Sequence, residues 1–167
     1  LEEVPQDFIS KTNFYKTEGD AQAAIRGVYS TFGTDYYGIN YYLFVELHSD
    51  FANGRGSQAP ISLFDRILDQ GNIGRAGINW STLYEAINRA NSVLENVPAI
   101  PKMNENVRNQ ILAEARFLRA YFYFFLVRSF GEVPVIPQVP ETEDEIAQTY
   151  VRSSISDVYA LIESDFQ

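Results

Sequence analysis

Apolar residues recur at helical spacing in five stretches of this chain. No stretch shows the alternation of apolar and polar residues that is typical of a half-buried strand. Residues suited to helix boundaries accompany the pattern: Thr17 with Asp20 as a capping box, Asn79 and Asn104 as N-caps, and Gly131 as a C-terminal residue. The predicted helices cover residues 21–32, 41–47, 80–94, 105–130 and 151–166. The fold class is therefore predicted to be all-α.

The predicted helix over 105–130 is apolar on two faces. At 100° per residue, Ile111, Leu118 and Phe122 fall on one face. The other face holds Ala113, Phe117, Ala120, Phe124 and Val127. The seams between these faces hold Glu114, Arg116, Arg119, Tyr121, Tyr123, Leu126 and Arg128. Because each arginine would cost roughly 2.5–3.5 kcal/mol near a bilayer centre, a membrane span is excluded. We predict instead a helix packed between two neighbours, as in a stacked helical-repeat protein.

The arginines of this helix, Arg116, Arg119 and Arg128, allow two interpretations. In the first, their stems line the seams while their guanidinium groups reach water or a carboxylate. In the second, the guanidinium groups contact a ligand. The first interpretation makes the helix purely structural, whereas the second places part of a binding site along its seams.

Composition and charge exclude several classes of function. The net charge is −9, and nucleic-acid binding depends on Lys and Arg that neutralise phosphates, so a nucleic-acid partner is not expected. Cysteine is absent, which excludes disulfides and thiolate metal sites, and His48 is the single histidine. The sequence shows no catalytic constellation. We therefore predict that the protein is not an enzyme and uses no cofactor and no metal.

The region between His48 and Asn79 has little sustained periodicity and is rich in Gly, Asn, Ser, Asp and Arg. Loops of this length are uncommon in compact domains and are often functional. Planar hydrogen-bonding groups and ring faces occur together in it, which suits a polyhydroxylated ligand. A solvated loop or a protein-contact loop is the alternative. The predicted ligand-binding residues are Asp50, Asn53, Arg55, Phe64, Arg66, Asn72 and Arg75. Phe51, Asp65 and Asp69 offer similar groups in the same region.

Four stretches, in the same order along the chain, resemble one protein family. "ILAEARFLRAYFYFFLVRSFGEVPVI" closely resembles the long motif of SusD/RagB-like nutrient-binding lipoproteins, which reads Glu-Ala-Arg-Phe-Leu-Arg-Ala, then aromatics, then Gly-(Asp/Glu)-Val-Pro. The other three stretches are "GDAQAAIRGVYSTF", "WSTLYEAINRANSVLENV" and "SSISDVYALIESDF". Together they span nearly the whole chain, and the chain is identified as resembling this family.

The resemblance implies an all-α fold of tetratricopeptide-like, stacked antiparallel helix pairs with one long irregular loop. Residues 1–167 would form a single helical domain, the N-terminal part of a larger protein that continues beyond residue 167. The family's motif residues carry over as scaffold, here Trp80, Asn91, Glu114, Arg116 and Arg119. Its ligand contacts sit on variable loops, which include the region from Asp50 to Asn79.

The resemblance also implies a function and a location. The protein would be a non-catalytic component that binds a glycan, or another nutrient, and hands it to a SusC-like, TonB-dependent transporter barrel. It would lie at the external face of the outer membrane of a Bacteroidetes-type bacterium, attached only through a lipid anchor upstream of residue 1. A helical-repeat scaffold that binds only protein is the alternative. A glycan-degrading enzyme, which needs two suitably spaced carboxylates in a cleft, ranks last.

Overall fold

The computed structural model describes residues 14–33, 45–62, 78–138 and 151–167, and within them the secondary structure is helical, without strands. The α-helices are α1 Glu18–Tyr29, α2 Ala59–Ser62, α3 Ile78–Asn96, α4 Glu105–Phe130 and α5 Ile155–Phe166. Short 3₁₀ helices occupy Ser30–Gly33, Glu46–His48, Gly56–Gln58 and Val97–Ala99. The predicted all-α class is confirmed. The predicted helix over 41–47 lies mostly outside the described residues.

Capping side chains fix the helix boundaries where the sequence predicts them. At α1, the amide of Asp20 donates to the Thr17 hydroxyl at 3.2 Å, and the amide of Thr17 donates to the Asp20 carboxylate at 2.8 Å. At α4, the side chain of Asn104 accepts from the amides of Asn106 and Val107. These contacts satisfy backbone N–H groups that a helix leaves without partners in its first turn.

The far end of α4 depends on a glycine. Gly131 follows the helix with φ 73°, and its N–H donates to the carbonyl of Val127 at 3.0 Å. Side chains other than glycine adopt this region of φ at a cost, so the helix ends where the glycine stands. The predicted roles of Thr17, Asn104 and Gly131 are confirmed.

Two predicted boundaries were wrong. Helix α3 begins at Ile78, so Asn79 lies inside its first turn and is not its cap. Helix α5 begins at Ile155, because the Ser154 hydroxyl accepts from the amide of Asp157 at 3.2 Å and caps the helix there. Val151, which has no such cap to offer, lies outside the helix and is exposed. Helical periodicity places residues on a face, but the position of a cap decides where the helix starts.

The chain divides into two compact units, Leu1–Val28 with Ile87–Gln167, and Tyr29–Ala86. In the described part of the larger unit, apolar side chains from each helix make up the core: Ala21, Ile25, Ala90, Val93, Ile111, Leu118, Phe122, Leu126, Val158 and Ile162. In the smaller unit, the buried apolar residues include Leu47, Ile61, Leu83 and Ala86.

Helices α4 and α5 pack against each other in the larger unit and run antiparallel. The ring of Phe117, early in α4, lies 5.7 Å from the ring of Phe166, at the end of α5. The ring of Phe124, one to two turns later in α4, lies 6.4 Å from the ring of Tyr159, nearer the start of α5. This opposite order defines an antiparallel helix pair, as the resemblance implies.

The prediction of two covered faces on α4 was half right. Ile111, Leu118 and Phe122 are buried on the first face. On the second face Ala120 and Val127 are buried as well, whereas Phe117 and Phe124 are exposed. Arg119, predicted in a seam, is only 8% exposed. The side of α4 that carries Phe117 and Phe124 is covered only in part, by the rings of Phe166 and Tyr159 from α5.

Arg119 is the centre of a buried hydrogen-bonded cluster that we call the polar clasp (Asn91, Arg119, Tyr123 and Asp165). Two guanidinium nitrogens, Nε and Nη2, donate to the two Asp165 carboxylate oxygens at 2.7 Å each. The third nitrogen, Nη1, donates to the Asn91 side-chain oxygen at 2.8 Å and to the carbonyl of Pro137 at 3.0 Å. The clasp therefore ties α3, α4, α5 and the extended residues after Gly131 to one another.

Asn91 and Tyr123 complete the clasp by satisfying the backbone of Ile136. The Asn91 amide donates to the Ile136 carbonyl at 2.7 Å, and the Ile136 N–H donates to the Tyr123 hydroxyl at 2.7 Å. For Arg119, the structure thus supports the interpretation in which the guanidinium meets a carboxylate of the protein itself. Within the described residues, no helix has the length and apolarity needed to cross a membrane.

Candidate functional site

The smaller unit presents a short irregular stretch between two helical anchors. We call residues 50–55 the exposed turn. Before it lies the 3₁₀ helix Glu46–His48, and after it lie the 3₁₀ helix Gly56–Gln58 and α2, Ala59–Ser62. Leu47 and Ile61 are both buried, one in each anchor. Burial of these side chains holds the anchors in the core of the unit while the residues between them face solvent.

Hydrogen bonds fix both ends of the exposed turn. Before it, the amide and the hydroxyl of Ser49 donate to the carbonyl of Glu46 at 3.1 and 2.6 Å. At its far end, the amide of Gly54 donates to the Ser62 hydroxyl at 3.0 Å, and that hydroxyl donates to the carbonyl of Ala59 at 3.1 Å. The turn is therefore held by groups outside it, and its own central side chains are not needed to hold it.

Gly54 is required by close packing in this arrangement. A Cβ atom built on Gly54 would lie 2.2 Å from the carbonyl oxygen of Gln58. That oxygen belongs to the backbone and cannot rotate away, so any larger residue would displace the backbone of the turn. From the sequence, Gly54 is predicted only to be one of several glycines in a loop.

Phe51 stands out from the turn with 99% of its surface exposed. The neighbouring Asp50, Asn53 and Arg55 are exposed as well. Across the part of the chain that the structure describes, the side chains of these three residues make no hydrogen bond or ion pair. The turn therefore offers solvent an aromatic face, a carboxylate, an amide and a guanidinium, none of which has a competing partner among the described residues.

Three of the seven predicted ligand-binding residues can be compared with the structure. Asp50, Asn53 and Arg55 are brought together on the exposed turn, next to Phe51. The remaining predicted residues, Phe64, Arg66, Asn72 and Arg75, lie outside the described residues, as do Asp65 and Asp69. Among the described residues, no group of three or more His, Asp or Glu side chains is arranged to hold a metal ion.

A SusD-like family model, described as starch-binding and associating with the outer membrane, matches residues 7–167. The chain belongs to the SusD-like family. The resemblance inferred from the four sequence stretches is confirmed.

Individual SusD-like proteins match the chain over nearly its whole length. The SusD-like protein P2 of Formosa agariphila is 31% identical over 173 residues, which cover 100% of this chain and 33% of that protein. The chain thus spans about a third of the length of this curated relative.

Solved structures of SusD-like proteins share the fold. A SusD homolog from Bacteroides thetaiotaomicron superposes with a TM-score of 0.74 at 30% identity, covering 93% of this chain and 30% of that one. A SusD-like carbohydrate binding protein from Bacteroides fragilis superposes with a TM-score of 0.70 at 27% identity, covering 92% of this chain and 31% of that one. The tetratricopeptide-like helix pairs expected from the resemblance are confirmed by these neighbours and by the α4–α5 pair.

The SusD-like motif residues that the structure describes are mainly scaffold. Asn91 and Arg119 belong to the polar clasp. Trp80 lies 5.1 Å from the ring of Tyr84 within α3. Glu114 accepts from the side chain of Gln110 at 2.9 Å, and Arg116 is exposed. Of these motif residues, Asn91 and Arg119 make buried contacts within the described part of the protein, whereas Arg116 does not.

The structure also contains a groove that was not predicted from the sequence. It lies between α1 and α4, has a volume of about 250 Å³, and is lined by Gln22, Ile25, Arg26, Val107, Gln110, Ile111 and Glu114. These residues occupy ordinary amphipathic positions on two helices, so no motif could have marked them. Its volume is below the roughly 300–1,000 Å³ that is usual for a small-molecule site.

Proposed function

We propose that this chain is the part of a SusD-like protein that captures a glycan, without catalysis, at the exposed turn. The observation that carries this proposal is Phe51, which is 99% exposed on a turn whose two ends are fixed. Family membership supports the choice of ligand, since the family model is described as starch-binding and one structural neighbour is a carbohydrate binding protein.

The chemistry of the exposed turn suits a sugar. The C–H face of a sugar ring is apolar and stacks on an aromatic ring, while its hydroxyl groups need both donors and acceptors. Phe51 supplies the ring, Asp50 an acceptor, Arg55 donors, and Asn53 both. Because the turn is held by Ser49, Gly54 and Ser62, little conformational entropy is lost when it binds.

The rest of the predicted site belongs to the same proposal. Phe64, Arg66, Asn72 and Arg75 are the further ligand contacts of this proposal. The chain is the N-terminal domain of a longer protein, lipid-anchored at the external face of the outer membrane. That protein hands its glycan, or another nutrient, to a SusC-like, TonB-dependent barrel.

The experiment that tests glycan capture is affinity electrophoresis of the full-length parent protein in gels containing different soluble polysaccharides. This 167-residue chain is run alongside. We expect one polysaccharide to retard the parent, and we expect Phe51→Ala and Arg55→Ala to weaken the retardation. Arg116→Ala is the matched control, because Arg116 is also an exposed arginine but lies on α4.

Failure of every polysaccharide to retard the parent would contradict glycan capture and would favour the alternative, a helical-repeat scaffold whose exposed turn binds only protein. The transfer step is tested separately by purifying the parent from outer membranes under mild detergent. Co-purification of a barrel protein is expected. Its absence would contradict the partner while leaving the electrophoresis result unaffected.

A further inference from the structure

Two pairs of aromatic rings lie about two helical turns apart on the outer side of the α4–α5 pair. We call Phe117, Phe124, Tyr159 and Phe166 the aromatic strip. The rings pair across the two helices at 5.7 Å and 6.4 Å. Phe117, Phe124 and Phe166 are 55%, 37% and 52% exposed. A large apolar side chain that is exposed singly is common, but several on one face of a helix pair point to an interaction surface.

The aromatic strip lies on the side of α4 opposite to the core. Around the helix, Ala115, Leu118 and Phe122 are fully or almost fully buried, whereas Phe117 and Phe124 point away from them. The core of the unit therefore does not need these two rings. A helix that carries Phe at both of these outward positions has a second apolar face to cover.

A single cation stands at one end of the strip. The guanidinium carbon of Arg128 lies 5.0 Å from the centre of the Phe124 ring, a cation–π contact. Within the described part of the chain, Arg128 has no carboxylate partner. A surface that covers the strip would gain an ion pair by placing an acidic residue beside Arg128.

We propose that the aromatic strip is the packing surface for an apolar helix from the remaining two thirds of the longer polypeptide, with an acidic residue at Arg128. The first argument is length, because the chain spans 33% of its Formosa agariphila relative and 30–31% of its structural neighbours. The second is architecture, because stacked helical repeats bury an internal helix on both sides. A third helix can pack into the groove between two antiparallel helices when its side chains interdigitate with theirs.

Hydroxyl-radical footprinting of phenylalanine side chains tests this proposal. Rates of modification are measured in the full-length parent and in the 167-residue chain, without any glycan. In the chain, the exposed Phe51 gives the highest expected rate of modification, and the fully buried Phe122 gives the lowest. We expect Phe117 and Phe166 to react at an intermediate rate in the chain and to fall to the rate of Phe122 in the parent.

Equal modification of Phe117 and Phe166 in the two proteins would overturn the proposal. Protection that appears in the 167-residue chain and grows with its concentration would overturn it too, since a second copy would then cover the strip.

A variant provides an independent measurement. Phe117→Glu should lower the unfolding midpoint of the parent far more than that of the chain, whereas Phe51→Glu, on the exposed turn, should leave both midpoints unchanged. Neither readout depends on glycan binding.

Discussion

The polar clasp and the exposed turn each contain an arginine, a carboxylate and an asparagine, but the two regions use them in opposite ways. In the clasp, all three guanidinium nitrogens of Arg119 donate to protein oxygens. In the turn, Arg55 lies beside Asp50 and Asn53, and none of these side chains is bonded within the described residues. Residue type alone therefore does not distinguish a structural cluster from a binding surface.

The physical difference is burial. A buried polar group that lacks a partner loses the full free energy of its desolvation, so a buried arginine must be saturated by the protein. In the clasp, Arg119 meets this requirement with four of its five N–H groups, which donate to protein oxygens. The side chains of the turn are hydrated, and a ligand can replace that water. The clasp positions the helices, and the turn is free to bind.

The largest expected effect comes from breaking the clasp with Asp165→Ala. Removing the carboxylate leaves the buried Arg119 charge without its main partner, which typically costs about 3–5 kcal/mol of unfolding free energy. Denaturant unfolding of the 167-residue chain measures the loss. Glu163→Ala, two residues earlier and exposed on the same helix, is the control and should change the free energy by less than about 0.5 kcal/mol. Equal effects of the two substitutions would refute the structural role of the clasp.

Tyr123→Phe removes a neutral hydrogen-bonding group, the hydroxyl, from the polar clasp. Without the hydroxyl, the buried N–H of Ile136 has no acceptor, and an unsatisfied buried donor costs about 1–3 kcal/mol. Tyr159→Phe is the matched control, because its hydroxyl makes no hydrogen bond to the described residues. Thermal unfolding of both variants should show a clear loss only for Tyr123→Phe. An equal loss of thermal stability in Tyr159→Phe would contradict the claim that the Tyr123 hydroxyl stabilises the fold through its hydrogen bond to Ile136.

Gly54→Ala tests whether the shape of the turn, and not only its side chains, is needed for binding. The new Cβ would meet the Gln58 carbonyl at 2.2 Å and displace the turn. We expect a loss of roughly tenfold in glycan affinity, about 1.4 kcal/mol, by titration calorimetry of the parent. Gly27→Ala is the control: nothing lies within 4 Å of its Cβ position, and alanine favours a helix. Unchanged affinity in Gly54→Ala would mean that the turn does not position the ligand.

The smallest effect concerns the start of α1 and depends on pH. Hydrogen bonds from the Thr17 hydroxyl and the backbone hold the pKa of Asp20 below its ordinary value. A lowered folded-state pKa contributes stability that is present above the ordinary pKa of the carboxyl and is lost as pH falls through the folded value. The difference in unfolding midpoint between the wild type and Asp20→Asn should therefore shrink on acidification. A difference that grew on acidification would contradict this account of the cap.

Much of the fold could be predicted from the sequence, because helix caps and apolar periodicity are local. Thr17, Asn104 and Gly131 lie where their chemistry requires. The burial of Arg119 could not be predicted, because it depends on Asp165, which is 46 residues away in the sequence. The same holds for the exposure of Phe117, since an apolar face does not reveal which neighbour covers it.

For the candidate binding region, only its position in the sequence could be predicted, and not its conformation or exposure. Asp50, Asn53 and Arg55 were proposed from composition, and they share one turn. That this turn is fixed depends on the pairing of Gly54 with Ser62, eight residues apart, which no periodicity indicates. The extreme exposure of Phe51 likewise follows from the position of its anchors and not from its own identity.

The most direct test of the central claim is to measure glycan affinity and unfolding free energy together in the parent protein carrying Phe51→Ala. Because the ring touches solvent almost everywhere, the unfolding free energy should change by less than about 0.5 kcal/mol. The affinity should fall by at least roughly tenfold, the loss typical of a truncated binding hot spot. Wild-type affinity in this variant would contradict the claim that the exposed turn captures the glycan.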